Sequence, residues 1–261
     1  MKNKTSLTKD AILKDPYNYT LKEMKDCLGE EMATDFFESL YKNKPKIQNQ
    51  TVKIKEVFNG KDTLKYAFEL SDGYCIETVC IKRKTGITVC VSTMVGCPVG
   101  CIFCASGKNG FIRNLSSSEI VQQIVLLKEK VNRIVFMGMG EPLLNYGEVI
   151  KAIHILRDRN GLNFPTDGIT ISTVGPINQL KKLREEHLKI QLTLSLHATS
   201  QVKRDKVMPH MRGNSIDDVV EAVLSYSERH NRKVTIAYLL IPGFNDGRED
   251  IKQLKKWFFG K

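Results

Sequence analysis

From residue 88 onward the chain alternates short apolar runs with longer amphipathic ones, five times over. ITVCVS, RIVFMGM, GITIST, KIQLTLSLH and KVTIAYLLI read as strands, each apolar almost throughout. SSSEIVQQIVLLKEK, YGEVIKAIHILRD, INQLKKLREE, SIDDVVEAVLSYSERH and REDIKQLKKWFF read as the helices between and after them. Strands that are apolar on both faces and separated by helices predict a parallel sheet or barrel with helices covering it. In such α/β folds, ligands gather at the carboxyl ends of the strands. The chemically conspicuous residues fall there. Cys97 follows the first strand, GMGE (138–141) the second, and Ser172 ends the third; His197 follows the fourth and PGFND the fifth.

The first 87 residues follow a different rule. Residues 1–50 are polar and lysine-rich, with Leu21, Met24, Leu28 and Met32 at helical spacing, and KNKPKIQNQ reads as a connector. Residues 51–87 read as a β-meander, since TVKIKEVF, TLKYAFEL and YCIETVCIK are strand-like and NGKD is a turn signal. The expected organisation is therefore a helical region over 1–50, a meander over 51–87 and an α/β core over 88–261.

All seven cysteines lie within the first 104 residues, at 27, 75, 80, 90, 97, 101 and 104. An odd number, with no apolar run behind the lysines of MKNKTSLTKD, argues against a secreted disulfide framework. Thr85–Gly107 is uncharged, but its glycines, proline and hydroxyl residues make it too polar for a membrane helix. The expectation is a cytoplasmic monomer without membrane contact. Lys and Arg number 40 against 29 Asp and Glu, a net charge of +11, which suits a polyanionic partner such as nucleic acid. Lys108, Arg113, Arg204 and Arg212 lie near strand-end loops, where they would meet phosphates or else form a solvated surface.

Cys97, Cys101 and Cys104 form C-x3-C-x2-C in the glycine-rich loop GCPVGCIFCASG. Soft thiolates suit an iron–sulfur cluster or zinc. Structural zinc takes four ligands, commonly in pairs, and only one C-x2-C pair exists here. Three thiolates on a four-iron cluster leave one iron open to a cofactor. Phe103 fits a hydrophobic wall beside such a group. The glycines of GMGE allow close backbone approach, and Glu141 is a carboxylate that could take an ammonium group.

With these motifs in hand, the chain resembles the radical S-adenosylmethionine superfamily. Within it, the chain is similar to the RNA methyltransferases that modify carbon 2, or in a resistance-conferring branch carbon 8, of an adenine in 23S ribosomal RNA. The carbon-2 enzymes also act on transfer RNA. The resemblance rests on SDGYCIETVCI, TVCVSTMVGCPVGCIFCASGKNGFIRNLSSSEIVQQI, VFMGMGEPLLNY, ITISTVG, LTLSLHA, the MP at 208–209 and IPGFND. It implies a partial (β/α) barrel with five recognisable strand–helix units and a small N-terminal α+β region. It implies that Cys97, Cys101 and Cys104 hold a 4Fe–4S cluster. Gly140, Glu141, Ser172, Ser195, Leu196 and His197 would contact S-adenosylmethionine. Glu77 would be the proton acceptor, and Cys90 the cysteine that releases methylated RNA through a transient disulfide. The implied partners are RNA (23S rRNA and tRNA) and a one-electron donor such as flavodoxin. The family continues beyond WFFGK with a further strand and a methyl-carrying cysteine, so methylation by this chain is expected to be impaired. The alternatives are adenosyl-radical chemistry on another substrate, or an inactive cluster- or RNA-binding protein.

Overall fold

A computed structural model describes residues 7–42, 50–108, 110–211 and 213–260. The N-terminal helices are α1 (Lys9–Lys14), α2 (Leu21–Leu28) and α3 (Glu30–Tyr41). Thr8 caps α1, and a Thr20–Glu23 capping box starts α2. Gly29, at φ +85°, turns the chain from α2 into α3. Most of the connector KNKPKIQNQ lies outside the described residues.

Next come β1 (Val52–Asn59), β2 (Thr63–Leu70), β3 (Cys75–Arg83) and β4 (Gly86–Cys90), an antiparallel run. The chain then forms β5 (Met94–Gly96), α4 (Ala105–Lys108) and β6 (Phe111–Asn114), with β5 and β6 paired as a separate small hairpin. From there strands and helices alternate: α5 (Ser117–Val125), β7 (Val131–Phe136), α6 (Tyr146–Arg157), β8 (Ile169–Thr173), α7 (Ile177–Glu185) and β9 (Gln191–Ser195). The chain closes with α8 (Gln201–Val207), α9 (Ile216–His230), β10 (Thr235–Ala237) and α10 (Arg248–Phe258).

One eight-stranded sheet runs β1-β2-β3-β4-β7-β8-β9-β10. β4, β7, β8, β9 and β10 are mutually parallel, so the expected five-strand alternation is present. Among the described residues β1 and β10 do not pair with each other, and the sheet is not a closed barrel. The meander continues the same sheet through the antiparallel β3–β4 pairing. Ile134, Phe136, Ile169, Ile171, Leu192 and Leu194 are fully or almost fully buried, as parallel strands require. The N-terminal helices pack on the helical layer. Asn18 and Asp15 accept hydrogen bonds from Ser117 and Ser118 of α5, and the Phe37 ring lies against Gly161.

Several elements differ in extent from the sequence reading. RIVFMGM extends only to Phe136, because the backbone turns at Gly138 to bond Val91. KVTIAYLLI keeps three strand residues before the Ile241–Asn245 turn takes over. α8 has no counterpart in the sequence reading, because its apolar pattern is inverted: Val202 is 68% exposed while Arg204 is 1% exposed.

Candidate active site

The cysteine loop is held from both sides. Cys97 N–H donates to Gly110 O across the β5–β6 hairpin, and Cys104 N–H donates back to Cys101 O. Gly96 is at φ +75°, and a Cβ there would lie 1.9 Å from Gly110 O, so no other residue fits. On the far side Ile102 N–H donates to Val207 O, and His210 Nδ1 lies 2.9 Å from Pro98 O. The three thiols are half-buried. Burial pushes Cys97 up and Cys101 up to about 12, with the neighbouring thiols adding to both. Among the described residues, no three His, Cys, Asp or Glu side chains meet closely enough to clasp a single metal ion.

The loop after β7 lies beside this one. Met139 O accepts from Thr93 and Met94 N–H, and Gly138 N–H donates to Val91 O. A Cβ on Gly138 would sit 2.7 Å from the Val91 backbone, so the glycine permits this close approach. Glu141 is almost fully buried. Its carboxylate accepts from Thr173 Oγ1 (2.6 Å), Val174 N–H (2.9 Å) and Leu143 N–H (3.0 Å). Desolvation pushes it up to about 7 although these donors pull the other way. Glu141 therefore pins the loop to the end of β8. Three of a carboxylate's roughly four acceptor directions are used, which leaves one for a ligand.

Ser172 and Ser195 end neighbouring strands with their Oγ atoms 3.2 Å apart. Leu196 is fully buried, and its N–H donates to Ala237 O. His197 stands at φ +52°, a left-handed position for a non-glycine residue. Its Nδ1 accepts from Leu239 N–H at 2.9 Å, which places the proton on Nε2. Desolvation, aided by Arg204, lowers its pKa to about 4, so the imidazole is neutral. The ring meets Phe103 of the cysteine loop edge to face.

Glu77 and Cys90 lie on adjacent strands. Val79 pairs with Cys90, and Ser92 Oγ–H donates to Glu77 O at 2.6 Å. The same hydroxyl accepts from Met139 N–H at 3.0 Å, so Ser92 ties Glu77's strand to the glycine loop. Gln123 fixes Ser92 through both of its backbone groups. Glu77 itself is exposed and pairs with Lys65 at 2.7 Å. Cys90 is half-buried, with its thiol raised by burial to about 11. Cys75 shares Glu77's strand and lies 3.6 Å from Lys55 Nζ.

The cations expected to meet phosphates fare unevenly. Arg204 is buried, its guanidinium donating to Leu196 O and Val174 O, so it braces β8 and β9 instead of facing solvent. Arg113 is held by Asp72 (2.6 Å) and Glu119 (2.8 Å). Lys108 is exposed, and Arg212 lies outside the described residues.

Two further residues shape the site. Asn245 is buried and donates from Nδ2 to His197 O and Leu239 O, while its Oδ1 accepts from Ile241 N–H. Ser92 is the other. Asn245 lies within IPGFND, and Ser92 within ITVCVS, so both sat in noticed motifs; their buried contacts with distant segments gave no separate signal.

Residues 91–257 match the family described as the Radical SAM superfamily. A probable RNA methyltransferase of Rhodopseudomonas palustris (strain BisB5) is 56% identical over 195 residues, covering 75% of this chain and 54% of the relative. A probable dual-specificity RNA methyltransferase RlmN of Pseudothermotoga lettingae is 46% identical over 218 residues, 82% of this chain and 64% of its own. The chain thus spans between about half and two-thirds of the length of these relatives. The crystal structure of a radical SAM methyltransferase from Sphaerobacter thermophilus superposes with a TM-score of 0.86 at 31% identity, covering 94% of this chain and 81% of that one.

Proposed function

The chain belongs to the radical SAM superfamily, and from that premise we propose that it forms the catalytic core of an enzyme that methylates an adenine in RNA. The relatives named as RNA methyltransferases support the substrate class. The observation that carries the reading is the meeting, at one end of the parallel strands, of the three-cysteine loop with Glu141, the Ser172–Ser195 pair and His197.

Cys97, Cys101 and Cys104 fit a 4Fe–4S cluster. Thiolates this buried need positive charge beside them, and a four-iron cube takes its ligands from further apart than a single ion does. When bound, the cluster would supply the electron that cleaves S-adenosylmethionine.

The chain's own residues would then do the following. The Gly140 backbone contacts the amino-acid part of the cofactor, and Glu141 both holds the loop in place and offers its remaining acceptor direction to the ammonium group. Ser172, Ser195 and the His197 N–H hydrogen-bond the remainder, and the Leu196 side chain packs against it. His197 stays neutral and keeps Nε2–H as a donor. Glu77, exposed on β3 two residues from the Val79–Cys90 pairing, takes a proton from the base. Its ion pair with Lys65 holds the carboxylate at this place on β3. Cys90 is the thiol that frees the product, and its raised pKa means that it acts with help from a base.

Adding S-adenosylmethionine to the anaerobically reconstituted and reduced chain should change the electron paramagnetic resonance (EPR) spectrum of its cluster. Transcripts of 23S rRNA segments or tRNA should bind it at low salt. A fully loaded cluster whose spectrum ignores S-adenosylmethionine would overturn the reading.

A further inference from the structure

The end of the sheet opposite the cysteine loop carries Lys82, Arg83, Lys84, Lys128, Lys130 and Arg133, all exposed. The strand register brings them together. Arg83 pairs with Gly86 across the β3–β4 turn, and Lys82 with Ile87. Ile87 in turn pairs with Val131, and Thr88 with Arg133. Lys128 and Lys130 sit in the short segment leading into β7.

Among the described residues, none of these cations forms an ion pair. Two acids lie close by, Glu129, which accepts the Tyr66 hydroxyl, and Asp62, whose carbonyl accepts from Lys82 N–H; neither pairs with the cations, and six positive charges against these two leave the patch positive. Cations closer to the candidate site are mostly engaged. Arg113 is held by two carboxylates, Lys203 by Asp250, Lys65 by Glu77 and Arg204 by carbonyls.

We propose that this end of the sheet is a phosphate-binding surface that anchors the RNA substrate away from the site of chemistry. The proposal rests on the reading of the chain as an RNA-modifying enzyme. Uncompensated Lys and Arg in one patch attract a polyanion and gain from the counterions it releases. The favoured occupant is RNA, because an acidic electron donor has to approach the cysteine loop at the other end. Six residues of β7 separate the two ends by roughly 20 Å, at about 3.3 Å each. A folded RNA is long enough to touch both, and phosphate contacts here would fix its register without reading its sequence.

The test uses the full chain, loaded with iron, and a labelled tRNA transcript titrated across a range of KCl. Two variants are compared with wild type: one with Lys82, Arg83 and Lys84 changed to Ala, the other with Lys128, Lys130 and Arg133 changed to Ala. All six side chains are exposed, so both variants should fold and load iron like wild type. Each should weaken RNA binding by about tenfold or more, and lower the slope of log affinity against log salt by about 1–3. The EPR response to S-adenosylmethionine should be unchanged. Wild-type affinity and slope in both variants would overturn the proposal. So would a loss confined to polyglutamate binding, which would assign the surface to an acidic protein. A wild-type chain that binds no RNA would overturn the RNA reading as well.

Discussion

The Phe103 ring stands edge-on to the His197 imidazole, centroids 5.0 Å apart and planes at 82°. The contact joins the cysteine loop to the end of β9, beside the Ile102–Val207 and Pro98–His210 hydrogen bonds. Such an aromatic pair contributes about 0.5–1.5 kcal/mol beyond its buried area. Phe103→Ala should therefore fold, load iron, and lose it to a chelator several-fold faster. The decay of the visible absorption band measures this, and an unchanged rate would show that the contact does not brace the loop.

His197 gives the protein an acid-sensitive joint. Its folded pKa of about 4 lies below the ordinary 6.5, so the unfolded chain binds that proton more readily. Its stabilising share is complete above pH 6.5 and is lost as pH falls toward 4. Protonating Nδ1 would also break the Leu239 hydrogen bond. His197→Asn keeps an acceptor and tolerates the left-handed backbone. Urea midpoints measured from pH 7 to 4 should fall less steeply in this variant than in wild type.

Glu141 acts in the opposite direction. Its folded pKa of about 7 lies above the ordinary 4.5, so its stabilising share is complete below pH 4.5 and is lost as pH rises through 7. Glu141→Gln removes that titration. Between pH 5 and 8 its urea midpoint should decline less than that of wild type, and parallel curves would contradict the assignment.

Much of this architecture was legible because apolar runs and amphipathic runs have different periods. The five parallel strands and the three-strand meander came through for that reason. The β5–β6 hairpin did not, since MVG and FIRN are too short to show a period. The cysteine motif and the glycine loop were visible as local spacing. Contacts between distant segments were not. Arg113 reads as a free cation until the fold brings Asp72 to it from 41 residues away. Arg204 reads as a surface residue of a charged helix, yet it is buried against two strand ends. The six unpaired cations at the far end of the sheet come from β3 with its turn, β7 and the segment before β7, and only the register unites them.

Asn245 is a buried hub between His197, Leu239 and Ile241. Asn245→Ala leaves those carbonyls and one N–H without partners, at a cost of about 1–3 kcal/mol. Urea denaturation should show this loss, and cofactor binding should weaken because His197 loses its tether. A variant as stable as wild type would mean that water replaces the amide.

Iron content after anaerobic reconstitution decides whether the three loop cysteines hold a cluster. The wild-type chain should hold about four irons with sulfide. Cys97→Ala, Cys101→Ala and Cys104→Ala should each fail to hold a stable four-iron cluster, while Cys27→Ala and Cys75→Ala retain it. Stoichiometric zinc without iron, or full loading in a variant lacking any one of the three loop thiols, would contradict the account.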